Sequence, residues 1–341
     1  MSNLTIKENI SLQSFNTFGI DVSARYFASF QSEENVLDII SHKLIESHHP
    51  LILGGGSNIL FTKDVDGLVL KNEIAGVDLV HQDDEYFYVK AGAGVNWHSL
   101  VMHCIENNYA GIENLALIPG NAGASPMQNI GAYGVEIKDV FHSLEAIHIL
   151  DKTKVVLNNQ ECLFGYRESV FKNKYKNQFI ITSVTYRLRK VPQFNISYGA
   201  IPQELERVGV KDLSIKDIAL AVMNIRNSKL PNPKIIGNAG SFFKNPEITI
   251  SQFDHLKLNF PNIVGHATEN NLVKVAAGWL IEQSGWKGYR EGDAGCHDKQ
   301  ALVLVNHGNA SGSQILELSE KIINSVNDKF GIELSREVNI I

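Results

Sequence analysis

The chain has 341 residues, 44% of them hydrophobic and 20% charged. That balance is too apolar for a disordered protein, and the length allows two or three packed units. A net charge of −6 argues against a nucleic-acid binder or a ligand of anionic membranes, which need a surplus of Lys and Arg, but leaves room for a small anion held by a few local cations.

The three cysteines, Cys104, Cys162 and Cys296, are odd in number and far apart. A disulfide framework is therefore not expected, and a reducing compartment is. No CxxC or HExxH spacing suggests a metal. Met1 to Ile10 is polar and mixed in charge, with no apolar stretch fit for a signal peptide. Nothing approaches the roughly 20 apolar residues that span a bilayer. The expectation is a cytoplasmic protein, monomeric, with no metal.

In chain order, Glu33 to Ile45 places Val36, Leu37, Ile40 and Leu44 at helical spacing behind Ser32 as N-cap. Leu51-Ile52-Leu53 reads as a short buried strand and Tyr86 to Lys90 as another. Trp97, Leu100, Val101, Cys104 and Ile105 predict a helix buried on one face. Ala116 to Glu136 has no period of either kind. Phe179 to Leu188 is β-branched and aromatic, a strand by composition. Pro192 and Pro202 bracket a turn-rich connection, taken as the domain boundary. Beyond it come a helix through Ile218, Val222 and Ile225, a glycine-rich segment Gly237 to Pro246, helices near Val275 to Gln283 and Ser313 to Lys329, and a terminal strand Glu333 to Ile341. The mixture is α+β.

Four segments could carry chemistry. Leu51-Ile52-Leu53 runs into Gly54, Gly55, Gly56, Ser57 and Asn58. Consecutive glycines let backbone N–H groups approach an anion, so a pyrophosphate cradle and a tight strand-to-strand turn both account for the run. It is neither a Walker A loop nor a GxGxxG fingerprint. The second segment holds Gly120, Asn121, Gly123, Ala124 and Ser125, then Asn129, Ile130, Gly131 and Gly134. Two small-residue loops suit a dinucleotide, and a structural loop is the other reading. The third is Phe164-Gly165-Tyr166-Arg167, where a lone Arg after an aromatic is commonly a surface residue. The fourth, Gly237 to Pro246, sets Ser241 beside glycines and two phenylalanines, without the G-x-S-x-G elbow of a serine hydrolase. Just upstream, Arg226 and Lys229 are three apart and can share a helix face to meet a phosphate, or stand as a solvated basic pair.

Taken in order, Asn16 to Gly19, Gly54 to Leu60, Ile118 to Glu136, Gly165 to Arg167, Lys229 to Pro231, Gly237 to Pro246, Ala276 to Leu280 and Arg336 to Val338 resemble the UDP-N-acetylenolpyruvoylglucosamine reductase family of bacterial peptidoglycan and cell-wall synthesis. Tyr198-Gly199 resembles its type I branch, in which a tyrosine-bearing loop closes over substrate. The resemblance implies a vanillyl-alcohol-oxidase-type FAD-binding domain over residues 1–190, in two subdomains joined by the C-terminal strand 333–341. It also implies a smaller α+β substrate-binding domain over 210–330.

The same resemblance implies non-covalent FAD, NADPH as hydride donor, and reduction of the enolpyruvyl ether of a UDP-sugar to the lactyl ether. Hydride addition at C3 leaves charge on C2 and the carboxylate, which calls for a cation and a proton donor. By resemblance Arg167 is the cation and Ser241 the donor. Glu337 joins them, protonated or sharing a proton. Tyr198, Lys229, Asn245 and Gln300 match positions that hold the diphosphate and sugar, with Arg226 added by charge. The glycine loops and Ile130 are the expected cofactor contacts. The tail Ser335-Arg336-Glu337 departs from the family in lacking its proline and second acid. A flavin oxidase or dehydrogenase on the same fold is the competing reading. Such enzymes often attach FAD through His or Cys, and neither glycine loop contains one.

Overall fold

Ser23–Phe30, Val65–Asn72 and Leu51–Leu53 lie parallel, with Val65–Asn72 between the other two and Lys7–Ser11 at the far edge. The helix linking Ser23–Phe30 to Leu51–Leu53 is Glu33–Ile40, and Ser32 caps it by accepting from the Asn35 amide at 3.2 Å. It is shorter than its apolar spacing suggested, because the chain turns at Ser41 and a separate turn of helix spans Leu44–Ser47. Val36, Ile39 and Ile40 pack on Ala28, Phe30, Leu68 and Leu70, while Leu37 faces solvent. The computed structural model describes residues 5–47, 49–268 and 271–341, so the first four residues of the polar N-terminal stretch fall outside it.

A five-stranded antiparallel sheet follows, in the order Lys154–Asn158, Phe141–His148, Phe179–Arg189, Tyr86–Gly92, Val77–Gln82. The helix Trp97–Glu106 buries Trp97, Leu100, Val101, Cys104 and Ile105 against it, the set expected from their spacing. Each such side chain stabilises the fold by roughly 1.5–3 kcal/mol.

The chain folds into two compact units. One comprises residues up to Ile10, Ser23–Gly56 and Val65–Ser228; the other comprises Ser11–Val22, Ser57–Asp64 and Lys229–Ile341. Helices Ile201–Arg207 and most of Ile215–Lys229 thus belong with the first unit, beyond the Pro192–Pro202 connection taken as the boundary. Their apolar faces decide this: Ile201, Leu205, Ile218 and Val222 share one core with Trp97, Ile105 and Ile112.

In the second unit, Gly237–Ser241, Val303–Asn306, Ala294–Cys296 and Arg290–Glu291 form an antiparallel sheet in that order, and Glu247–Thr249, Leu272–Val275 and Gly265–Ala267 form a smaller one. The helix Gly312–Phe330 opens on a capping box between Ser311 and Gln314 and closes on left-handed Gly331. Of the expected terminal strand only Asn339–Ile340 is laddered, parallel to Ile59–Leu60. The three cysteines are free and buried. No helix among the described residues is long and apolar enough to cross a membrane.

Candidate active site

The first glycine loop is set by sheet register. Leu53 lies opposite Lys71, and the Lys71 ammonium donates to the Gly54 carbonyl at 2.6 Å, pinning the loop where it leaves the strand. A Cβ on Gly55 would lie 2.9 Å from Asn121 Oδ1 and 3.0 Å from Gly120 Cα. The two small-residue loops are therefore pressed together, and glycine is required by that approach. Gly56 is left-handed, with φ of 62°. From Ser57 the chain enters the second unit, where the Asn58 carbonyl accepts from the Asn339 amide at 3.1 Å and its side-chain amide donates to the Glu337 carbonyl at 3.3 Å.

In the second loop Asn121 donates to the Gly94 carbonyl at 2.6 Å, and the Trp97 amide donates to the Gly120 carbonyl at 3.0 Å. The Ser125 hydroxyl, expected to reach a ligand, is turned inward. It donates to the Ala122 carbonyl at 2.7 Å and shares a 2.8 Å hydrogen bond with the Tyr186 hydroxyl. A Cβ on Gly123 would press on Ala93, so that glycine too answers to packing. Buried Asn129 ties this loop to the next: its amide donates to Gly165 and Glu136 oxygens, each at 3.0 Å, and its carbonyl accepts from the Lys138 amide.

Arg167 sits in a turn closed by reciprocal Gly165–Glu168 hydrogen bonds, with its own backbone left-handed at φ 53°. A side-chain-bearing residue held there is strained, and such strain collects at functional sites. Its Nη2 donates to the Gly131 carbonyl at 2.8 Å, and its guanidinium lies 5.7 Å from the Tyr166 ring centre. Ile130 donates to the Ser125 carbonyl, and the hairpin Gly131–Ala132 with Val135–Glu136 turns at Tyr133 and Gly134.

The helix Ile215–Lys229 brings Arg226 to Tyr133. Burial works against the Arg226 charge, the neighbouring Tyr133 hydroxyl favours it, and the Arg226 Nε has no partner. Among the described residues no carboxylate pairs with Arg226. Tyr133 is left-handed (φ 51°), its hydroxyl pushed up by burial, and its ring meets the Tyr198 ring edge-on at 6.4 Å. Asn114 holds both the Tyr133 and Asn195 carbonyls, at 3.0 and 2.8 Å. His98 lies near Arg226; burial first, then that charge, lowers its affinity for a proton. Tyr133 and His98 are absent from the sequence-derived set. The signal for Tyr133 was an aromatic inside a run of glycine and alanine. His98 gave none.

In the second unit Ser241 closes the strand Gly237–Ser241 opposite Val303, after a bulge that carries left-handed Gly240. Asn238 is buried, with its amide on the Pro231 and Ile236 carbonyls. The tail runs alongside: Lys244 N donates to the Ser335 carbonyl at 2.9 Å, Phe243 bridges Arg336, and Glu337 N donates to the Phe242 carbonyl at 2.8 Å. Ser241 and Glu337 are thus on adjoining stretches of backbone. The Asn245 carbonyl accepts from the Ala277 amide at 2.9 Å, satisfying the first turn of Ala277–Gln283. Gln300 accepts from the Leu302 amide, and Gly278 passes close beneath it. Lys229 is exposed at the helix end.

Two glycine-bearing loops locked together, an ammonium without a carboxylate partner among the described residues beneath one of them, and an arginine strained toward the other fit a dinucleotide cofactor. The class they define is a flavin-dependent oxidoreductase, and residues 24–155 match the family model described as FAD binding domain. Residues 231–341 match the model described as UDP-N-acetylenolpyruvoylglucosamine reductase, C-terminal domain. The UDP-N-acetylenolpyruvoylglucosamine reductase of Amoebophilus asiaticus is 49% identical over 99% of this chain and 100% of its own length; that of Flavobacterium johnsoniae is 48% identical over the same shares. The crystal structure of the Thermus caldophilus enzyme of that name superposes with a TM-score of 0.69 at 22% identity, covering 99% of each chain. The chain belongs to the UDP-N-acetylenolpyruvoylglucosamine reductase family.

Proposed function

We propose that the chain reduces the enolpyruvyl ether of a UDP-N-acetylglucosamine to the lactyl ether, giving UDP-N-acetylmuramate, with NADPH as reductant and FAD held non-covalently. The chemistry that FAD supplies when bound is relay of a hydride from NADPH to C3 of the enolpyruvyl group. Side chains of the protein do the rest. Arg167 neutralises the carboxylate into which the C2 charge spreads, Ser241 delivers the proton to C2, and Glu337 supports that transfer. Tyr198, Arg226, Lys229, Asn245 and Gln300 take the diphosphate and sugar, and Tyr133 joins them by orienting Arg226. The glycine loops, with Ile130 and Asn58, take the cofactor.

The observation that carries this reading is Arg226: a buried guanidinium with a tyrosine but no carboxylate beside it among the described residues asks for an anionic ligand. The reading places the enzyme in the cytoplasm, as a monomer acting on a small nucleotide sugar.

The test is the flavin absorbance of the purified protein under nitrogen, followed through NADPH and then the enolpyruvyl nucleotide. Bleaching by NADPH and recovery on adding that nucleotide is the expected outcome. A protein that takes up no FAD overturns the reading, and recovery with oxygen alone transfers it to an oxidase.

A further inference from the structure

Lys71 stands on the strand Val65–Asn72, opposite Leu53, and its ammonium reaches the Gly54 carbonyl at 2.6 Å. The side chain is half-buried. Among the described residues it has no ion-pair partner; Glu73, two positions along, eases its charge only from a distance. Removing an ammonium from water to meet one neutral carbonyl is unfavourable, and burial accordingly lowers its hold on the proton. An aliphatic side chain would fill the same space without that cost. What lies next to the ammonium is the glycine loop, with Gly55 bare against Gly120 and Gly56 left-handed, a backbone suited to gather N–H groups around an anion.

We propose that Lys71 is a charge contact for the diphosphate of FAD, held in place by the Gly54 carbonyl so that ammonium and loop amides meet the same phosphates. This rests on the reading that FAD lies on the Gly54–Asn58 loop. The Gly54 carbonyl keeps the long side chain ordered, which limits the entropy lost when the anion arrives. A point charge of this kind binds phosphate without demanding one geometry, so Arg is a workable substitute and Met is not.

The experiment follows FAD release from the purified holoenzyme on dilution, by recovery of flavin fluorescence, over a range of NaCl concentrations. Lys71→Met is expected to weaken FAD about tenfold or more, the scale of one hydrogen bond to a charged group. Its affinity should also fall less steeply with salt, because one screened contact is gone. Lys71→Arg should stay near the unsubstituted protein in both respects. Unchanged affinity in Lys71→Met overturns the proposal. So does a weakening with the original salt dependence, which would make Lys71 a clamp on Gly54 and nothing more. Gly55→Val tests the underlying reading separately: if that variant keeps FAD as tightly, the cofactor is not on this loop.

Discussion

The amide of Glu337 donates to the carbonyl of Phe242 at 2.8 Å, which sets Glu337 beside the residue that follows Ser241. The proposed reaction draws the proton for C2 from this pair. Ser241→Ala is expected to leave bleaching by NADPH intact and to slow recovery by the enolpyruvyl nucleotide by about a hundredfold or more, the scale of losing one donor aimed at developing charge. Recovery at the original rate in stopped flow would remove Ser241 from the reaction.

Arg336 is anchored away from that pair. Its Nε donates to Ser319 Oγ at 2.8 Å, and Glu320 lies 2.5 Å from its Nη2, an ion pair by distance though off the hydrogen-bond direction. Ser319 is a fully buried polar residue on the inner face of Gly312–Phe330, and Arg336 accounts for it. In Ser319→Ala the part-buried Arg336 Nε loses its acceptor, so unfolding free energy should fall by about 1 kcal/mol or more in urea titrations. Arg336→Met should lower kcat with little change in KM, because the tail loses its tether while the substrate contacts remain.

How much of this could be read beforehand depended on where the determining forces lie. The helix Trp97–Glu106 was legible because its buried set is a local 3.6-residue pattern. Gly237–Ser241 was not, since Gly-Asn-Ala-Gly-Ser contains no strand former. It joins a sheet because Gly237 fits against the Phe18 backbone and Asn238 hydrogen-bonds the Pro231 and Ile236 carbonyls. The tail read as a strand from Glu333, yet only its last residues are laddered. Ser241 and Arg167 stand in segments to which only the family resemblance gave roles. The inward turn of Ser125 required Tyr186, sixty-one residues away.

Arg226 should show opposite effects on stability and on binding. Its buried Nε has no partner, and replacing an unpaired buried charge by an apolar chain is neutral or stabilising. Arg226→Met is therefore expected to unfold at the same or higher urea concentration without substrate. Its KM for the enolpyruvyl nucleotide should rise about tenfold to a hundredfold. A loss of stability with unchanged KM would make the arginine structural.

Glu113 gives a pH dependence whose sign can be fixed. It is buried in the first unit, accepting from the Gly111 amide at 2.6 Å, and desolvation raises its carboxyl above the ordinary value against the pull of three backbone amides. The folded state therefore holds this proton more tightly than the unfolded state. The stability linked to that proton is fully present below the unfolded pKa and is lost as pH rises through the raised folded pKa. Glu113→Gln keeps an acceptor for Gly111 and removes the titration. Its stability relative to the unsubstituted chain should accordingly be more favourable at about pH 8 than at about pH 4. Urea unfolding of both proteins across that range measures the difference directly. If it does not grow with pH, the backbone amides outweigh burial at Glu113 and its carboxyl ionises in the fold at no cost.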